Sequence, residues 1–346
     1  MKKILFYTDS LIKEMGGGIT YSKAFMDYFS QHAYSIKTIC SSEYNFSGWY
    51  PKVWRNYKIF NLPISLFRIF KDWWQYDIII YKSNYIPSVS LNKKVCLIVD
   101  FPLQKHLGFF DRIRLRSVQK IICNSHFTAG WIKTYWGREA TVIYPPAMES
   151  HKSDRNKVPN ILSVGRFVEG GRSKNQEILI DAFKILYDKG WAYSLQLAGY
   201  VQDESYLNRL RTMAKGYPVE FIVNVSDTAL ITLYEKATFY WHACGFGIDA
   251  SVEPSRTEHF GIAVADALSF GCIPLVYANG GPSEIVGGGN YGFVWKTQQE
   301  LAEKTAACIA SPDLIQVWQQ KSLERSLLFS KKAFADSVNT LLQRSR

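Results

Sequence analysis

Residues 253–290, EPSRTEHFGIAVADALSFGCIPLVYANGGPSEIVGGGN, set two acids, Glu258 and Asp266, around a Phe260-Gly261 turn and follow them with a strand and a second glycine turn. Gly261 lets the backbone approach a ligand just ahead of the helical pattern Ile262, Ala265, Leu268, Ser269. The unpaired N–H groups of such a helix start, with the positive end of its dipole, suit a phosphate or diphosphate. Glu258 precedes the helix and Asp266 lies about one turn inside it, where carboxylates accept from hydroxyl pairs on a ribose or hexose. IPLVYA reads as a buried parallel strand, with Gly280-Gly281-Pro282 as the turn at its C-terminal end, where open α/β sheets bind ligands. The plain alternative is that Glu258 caps the helix and Asp266 is a solvated acid.

A second stretch, NILSVGRFVEGGRSKNQEILIDAFKIL, reads as a strand, a polar glycine-rich loop with Arg166, Arg172 and Lys174, and an amphipathic helix. Arginine offers a planar fork and lysine a compact charge. Together they neutralise a leaving diphosphate without a metal ion, although a basic loop alone reads equally well as solvated surface.

The two stretches in this order resemble the donor site of retaining glycosyltransferases of the GT-B fold, glycosyltransferase family 4. The resemblance implies an α/β protein with two Rossmann-like parallel-sheet domains facing a central cleft. It implies that Glu258 holds the donor sugar, Asp266 the nucleotide ribose, and Arg166 and Lys174 the departing diphosphate. His259, Phe260, Gly261 and Ile262 would line the donor. The family usually has Glu where Asp266 stands, which shortens the reach by about 1.5 Å. Arg172, beside the extra Gly170-Gly171, is a substitute for either cation. The string EHFGI is similar to dolichol-linked mannosyltransferases and to bacterial polysaccharide enzymes alike.

The chain has 346 residues, a length that suits two α/β domains. Strand-like runs KILFYT, SIKTIC, YDIIIY, KVCLIV, KIICN and TVIY, then NILSVG, SLQLAG, VEFIV, TFYWHA and IPLVYA, alternate with helical patterns, as two parallel sheets require. The boundary is expected near residue 150, after Tyr144-Pro145-Pro146, giving an acceptor-side domain over 1–149 and a donor domain over 150–330. By resemblance, helix 331–346 returns to the first domain. Gly16-Gly17-Gly18 after the first strand reads either as a simple turn or, as in the family, as a loop beside the transferred sugar, with Gly17 and Gly18 touching donor. Asp100 ends the strand CLIVD where many relatives carry His. It reads as a catalytic acid acting on the acceptor hydroxyl or on the sugar's developing positive charge, or as a helix cap, with His106 in reserve. His242 reads as a hydrogen-bonded residue on the nucleotide side, and Asn124 or Ser125 as a helix cap.

The net charge is +11, and residues 1–150 hold 20 Lys plus Arg against 10 Asp plus Glu, while the rest hold 21 against 20. Such a half is drawn to an anionic surface. Residues 49–76 mix basic and aromatic side chains as an interfacial anchor does, or as a core stripe of Ile64, Phe67 and Phe70 does. Arg112, Arg114, Arg116 and Lys120 read as a solvated helix face. Six cysteines without close pairing or metal-ligand spacing point to reduced thiols and a cytoplasmic protein, peripheral on the membrane's inner face at most. No nucleic-acid motif is present.

The expectation is therefore a hexosyltransferase using a UDP- or GDP-linked donor, with no further cofactor and no metal, and a lipid-linked or surface glycan as acceptor. A catalytically silent glycan binder and a sugar-nucleotide epimerase on the same fold are the alternatives.

Overall fold

The computed structural model describes residues 2–8, 17–32, 34–40, 74–87, 89–90, 92, 94–149, 157–170 and 173–343. The chain divides into two compact units, Met1–Pro146 with Phe334–Arg346, and Ala147–Ala333. Residues 49–73 of the interfacial candidate 49–76, Gly16, Arg172 and residues 150–156 lie outside the described residues.

In the first unit, strands β1 (Lys2–Thr8), β2 (Tyr34–Cys40), β3 (Ile78–Lys82), β4 (Val95–Val99), β5 (Lys120–Cys123) and β6 (Thr141–Val142) form a parallel sheet in the order β2-β1-β3-β4-β5-β6. β3 and β4 are buried at every position, as continuous apolar strands covered on both faces should be. Helices α1 (Gly17–Gln31), α2 (Phe109–Arg116) and α3 (His126–Trp136) belong to this unit. Ser125 is the cap of α3, its hydroxyl accepting from the Thr128 amide at 3.0 Å.

The second unit holds β7 (Val158–Val164), β8 (Ser194–Gly199), β9 (Val219–Val223), β10 (Ala237–His242), β11 (Ile273–Tyr277) and β12 (Phe293–Trp295), all parallel, in the order β12-β11-β10-β7-β8-β9. Its helices are α4 (Gln176–Asp188), α5 (Glu204–Met213), α6 (Asp227–Lys236), α7 (Ile262–Ser269), α8 (Gly280–Ile285), α9 (Gln298–Ile309) and α10 (Pro312–Ser326). Leu179, Ile180, Phe183 and Leu186 form the apolar stripe of α4 and pack with Trp241 and Trp295 in the main core. Gly280-Gly281-Pro282, expected as a turn, opens α8 instead. Helix α11 (Lys331–Gln343) sends Phe334, Val338 and Leu341 into the core of the first unit against Phe25 and Tyr28.

Strand order fixes where chemistry can sit. β7 lies between β8 and β10, so the connections after β7 and after β10 leave the sheet in opposite directions. The C-terminal ends of those two strands flank the crevice that open α/β sheets offer to ligands.

Candidate functional site

The β7 end supplies Arg166 and Lys174. Gly165 sits where an added Cβ would lie 2.5 Å from Lys174 Cγ, so only glycine leaves room for the lysine stem. Gln176, the first residue of α4, donates to the Arg166 carbonyl at 3.1 Å and thereby fixes the loop's departure. Asn175, left-handed at φ 52, donates to the Ala243 carbonyl at 3.0 Å and ties this loop to the end of β10. Arg166, half-buried, donates from Nη1 to Gln202 at 3.3 Å.

The β10 end supplies His242, Cys244 and, after a long loop, Glu258. Lys174 Nζ donates to Glu258 Oε2 in an ion pair whose side chains are 23% and 22% exposed. Burial acts against both charges, but the mutual attraction outweighs it: Lys174 rises above its ordinary value and Glu258 falls well below it. Glu258 is thus an acceptor only, and Lys174 a fixed cation. His242 Nε2 lies 3.6 Å from Glu258 Oε2, beyond hydrogen-bond range, and neither ring nitrogen finds a partner. The expected hydrogen-bonded histidine is instead a buried, unsatisfied one. Burial lowers its pKa from 6.5 against the opposing pull of Glu258, so the ring is neutral at pH 7. Burial also pushes Cys244 up to about 11. Sequence reasoning missed Cys244 and the closeness of His242 to Glu258. Both follow from β10 lying beside β7, which no local pattern states.

Glycines hold Glu258 in place. Gly281 donates to the Glu258 carbonyl at 2.8 Å, and an added Cβ at Gly280 would lie 2.3 Å from that oxygen. Gly261, at φ 100, is the N-cap of α7, so Glu258 does not cap the helix. Phe260 is buried against Phe329, while His259 and Ile262 are half-buried on either side of this turn. The glycines that open α8 after β11 and the Glu258–Gly261 turn after β10 are therefore one packed backbone unit.

Asp266 is buried rather than solvated, and its Oδ1 accepts from the Met148 amide at 2.7 Å. Burial pushes its pKa from 3.8 up to about 7 despite that hydrogen bond. The folded state therefore keeps a proton that the unfolded chain releases, and stability contributed by this group falls as pH rises from about 3.8 to about 7. The Asp266→Asn variant keeps an acceptor for Met148 and removes the titration. Thermal melts at about pH 5 and about pH 8 should show it gaining on wild type at the higher pH. An identical shift in both proteins would contradict the assignment.

In the first unit, Asp100 follows β4. Its Oδ2 pairs with buried Lys82 at the end of β3, and Asn84 Oδ1 accepts from the Asp100 and Phe101 amides at 3.0 Å each. Asp100 Oδ1 is buried without a hydrogen-bond partner. The acid is thus not a helix cap but an ion-paired group beside the first turn of α1, where a Cβ at Gly18 would lie 2.8 Å from Oδ2. Gly17 is the first residue of that helix, so the pair Gly17-Gly18 opens α1. His106 is exposed on the following loop. Among the described residues, no group of three His, Cys, Asp or Glu side chains is placed to hold a metal ion, and no helix is long and apolar enough to cross a membrane.

Comparison with known proteins agrees with this architecture. The GDP-Man:Man(3)GlcNAc(2)-PP-Dol alpha-1,2-mannosyltransferase of Dictyostelium discoideum is 25% identical over 62% of this chain and 45% of its own length. The chain therefore spans less than half the length of that relative. The alpha-1,3/1,6-mannosyltransferase ALG2 of the same organism is 23% identical over 82% of this chain and 79% of its own. A glycosyltransferase structure from Rickettsia africae superposes with a TM-score of 0.73 at 14% identity, covering 99% of this chain and 98% of that one. Anabaena HepE, in complex with UDP and glucose, gives 0.67 at 17% identity over 99% and 100%. These likenesses, with the two parallel sheets, show the GT-B fold. The family described as glycosyl transferases group 1 matches residues 148–325, the whole of the site around Glu258 included, and the chain belongs to that family.

Proposed function

We propose that the protein is a retaining hexosyltransferase that moves a mannose- or glucose-type sugar from a UDP- or GDP-linked donor to a hydroxyl of a lipid-linked or surface glycan. The observation that carries this reading is the ionised Glu258 held by Lys174 at the switch point of the second sheet, with Arg166 on the same loop. Glu258 accepts from the sugar hydroxyls and fixes the ring. Lys174 and Arg166 stabilise the charge that grows on the diphosphate as the glycosidic bond breaks. Asp266 takes a ribose hydroxyl with the oxygen that Met148 leaves. Amides at the start of α7 orient donor groups. Asp100 acts on the acceptor hydroxyl or on the positive charge developing at the sugar. Retention requires attack on the face that the leaving group vacates.

The mannosyltransferase relatives are named for a GDP-linked donor and HepE was solved with UDP, so both bases belong in the test. Incubation with UDP-glucose, UDP-N-acetylglucosamine and GDP-mannose, each with a lipid extract as acceptor source, should move label from one donor into the organic phase. Proton NMR should show the product linkage with the donor's anomeric configuration. Inverted product would overturn retention, and release of free sugar alone would favour an epimerase or hydrolase.

We expect Arg166→Ala to lower the transfer rate by about tenfold to a hundredfold, with a smaller effect on donor affinity, because its charge is used mainly as the diphosphate departs. Equal transfer rates in variant and wild type would remove Arg166 from the mechanism.

A further inference from the structure

Helix α2 departs from the end of β4 just beyond Asp100, and its surface is unlike that of a solvated helix. Phe109 and Phe110 are 73% and 72% exposed, their rings 5.7 Å apart, with Leu103 and Ile113 exposed beside them. Leu115 is the one buried residue of the helix. Phe109, Arg112, Ile113 and Arg116 follow the spacing of a single helix face and all four are exposed. Lys105 and His106 on the preceding loop are exposed too.

The charge on this surface is of one sign because the local acid is used up internally. Asp111 accepts from the Gly108 amide at 3.1 Å and from Gln104 at 2.7 Å, and pairs with Arg114 at 3.4 Å. Glu139, near the end of α3, pairs with Lys133 at 2.8 Å. Among the described residues, Arg112 and Arg116 meet no carboxylate within ion-pair distance.

We propose that α2 and the loop before it form a docking surface for an anionic lipid membrane, with Phe109, Phe110, Leu103 and Ile113 entering the acyl boundary and Lys105, Arg112 and Arg116 meeting lipid phosphates. Two aromatic and two aliphatic side chains flanked by cations match the two layers of a leaflet surface, apolar beneath and anionic above. Aliphatic side chains gain nothing by stacking on bases, which sets this surface apart from a single-strand nucleic-acid platform. The inference rests on the membrane-side acceptor in the proposed function and is independent of the donor chemistry. It places contact on α2, where the cations alone read as solvated in the sequence.

The test is co-sedimentation of the full chain with vesicles of phosphatidylcholine alone and of phosphatidylcholine with about one third phosphatidylglycerol. Binding to the anionic vesicles only is expected, weakening as salt rises. Arg112→Gln with Arg116→Gln should reduce it about thirtyfold, from the contribution of two cations near such a leaflet. Phe109→Ser with Phe110→Ser should reduce it by about tenfold or more without changing the melting temperature or the affinity for nucleotide sugar. Unchanged vesicle binding in both double variants would overturn the proposal, as would binding of single-stranded RNA in preference to vesicles. Loss of donor binding in wild type, with vesicle binding intact, would count against the donor reading alone.

Discussion

Glu258→Ala is expected to lower transfer by about 10²–10³-fold, the largest effect of any single side chain in the protein. The carboxylate has two functions that the substitution removes together. It accepts from the sugar, and it balances Lys174, whose side chain is only 23% exposed. Without Glu258 the lysine is left as a poorly solvated cation beside His242 and Cys244, which costs stability as well as activity. Glu258→Gln separates the two functions: it retains the shape and one acceptor oxygen but gives up the charge. A Gln variant as inactive as the Ala variant locates the loss in the charge. A Gln variant close to wild type locates it in shape, and would contradict the ion pair's part in catalysis. Steady-state rates at saturating donor, with thermal melts of each variant, read both.

Gly281→Ala should be the second large effect, through backbone rather than chemistry. Its Cβ would meet the His259 carbonyl oxygen at 2.4 Å and Phe260 Cα at 2.5 Å, both main-chain atoms that no rotamer change can move. Overpacking of this kind costs about 1–3 kcal/mol. Because the same contact aligns Glu258, donor affinity should fall with stability. Gly130→Ala, in the middle of α3 with nothing within 4 Å of the added carbon, is the matching control: it should raise stability by up to about 1 kcal/mol through helix propensity and leave donor affinity unchanged. A Gly281 variant that melts and binds as wild type does would show the turn to be looser than the contacts imply.

Much of the fold was legible because parallel strands buried on both faces are written as continuous apolar runs. β3, IIIYK, and β10, ATFYWH, are examples, each buried throughout. The short β12, FVW, escaped notice because three residues carry no period. Lys174 and Glu258 were legible as chemistry from the glycines and charges around them. Their mutual contact was not, since it depends on β10 lying beside β7, a matter of strand order rather than local sequence. Cys244 and the closeness of His242 to Glu258 were hidden for the same reason. Asp266 read as either a ligand residue or a solvated acid, and burial with a hydrogen bond to Met148 is a long-range fact that helix periodicity does not carry. Likewise, Arg112 and Arg116 looked like ordinary surface until the exposure of Phe109 and Phe110 beside them was known.

The decisive measurement is calorimetric titration of the purified chain with UDP- and GDP-sugars, without added metal, on wild type, Glu258→Ala and Lys174→Ala. If Glu258 and Lys174 form the donor site, wild type binds one class of nucleotide sugar and both variants weaken that binding by about tenfold or more, in keeping with loss of charge-assisted hydrogen bonds. Failure of wild type to bind any nucleotide sugar, or equal binding by all three proteins, would contradict that assignment.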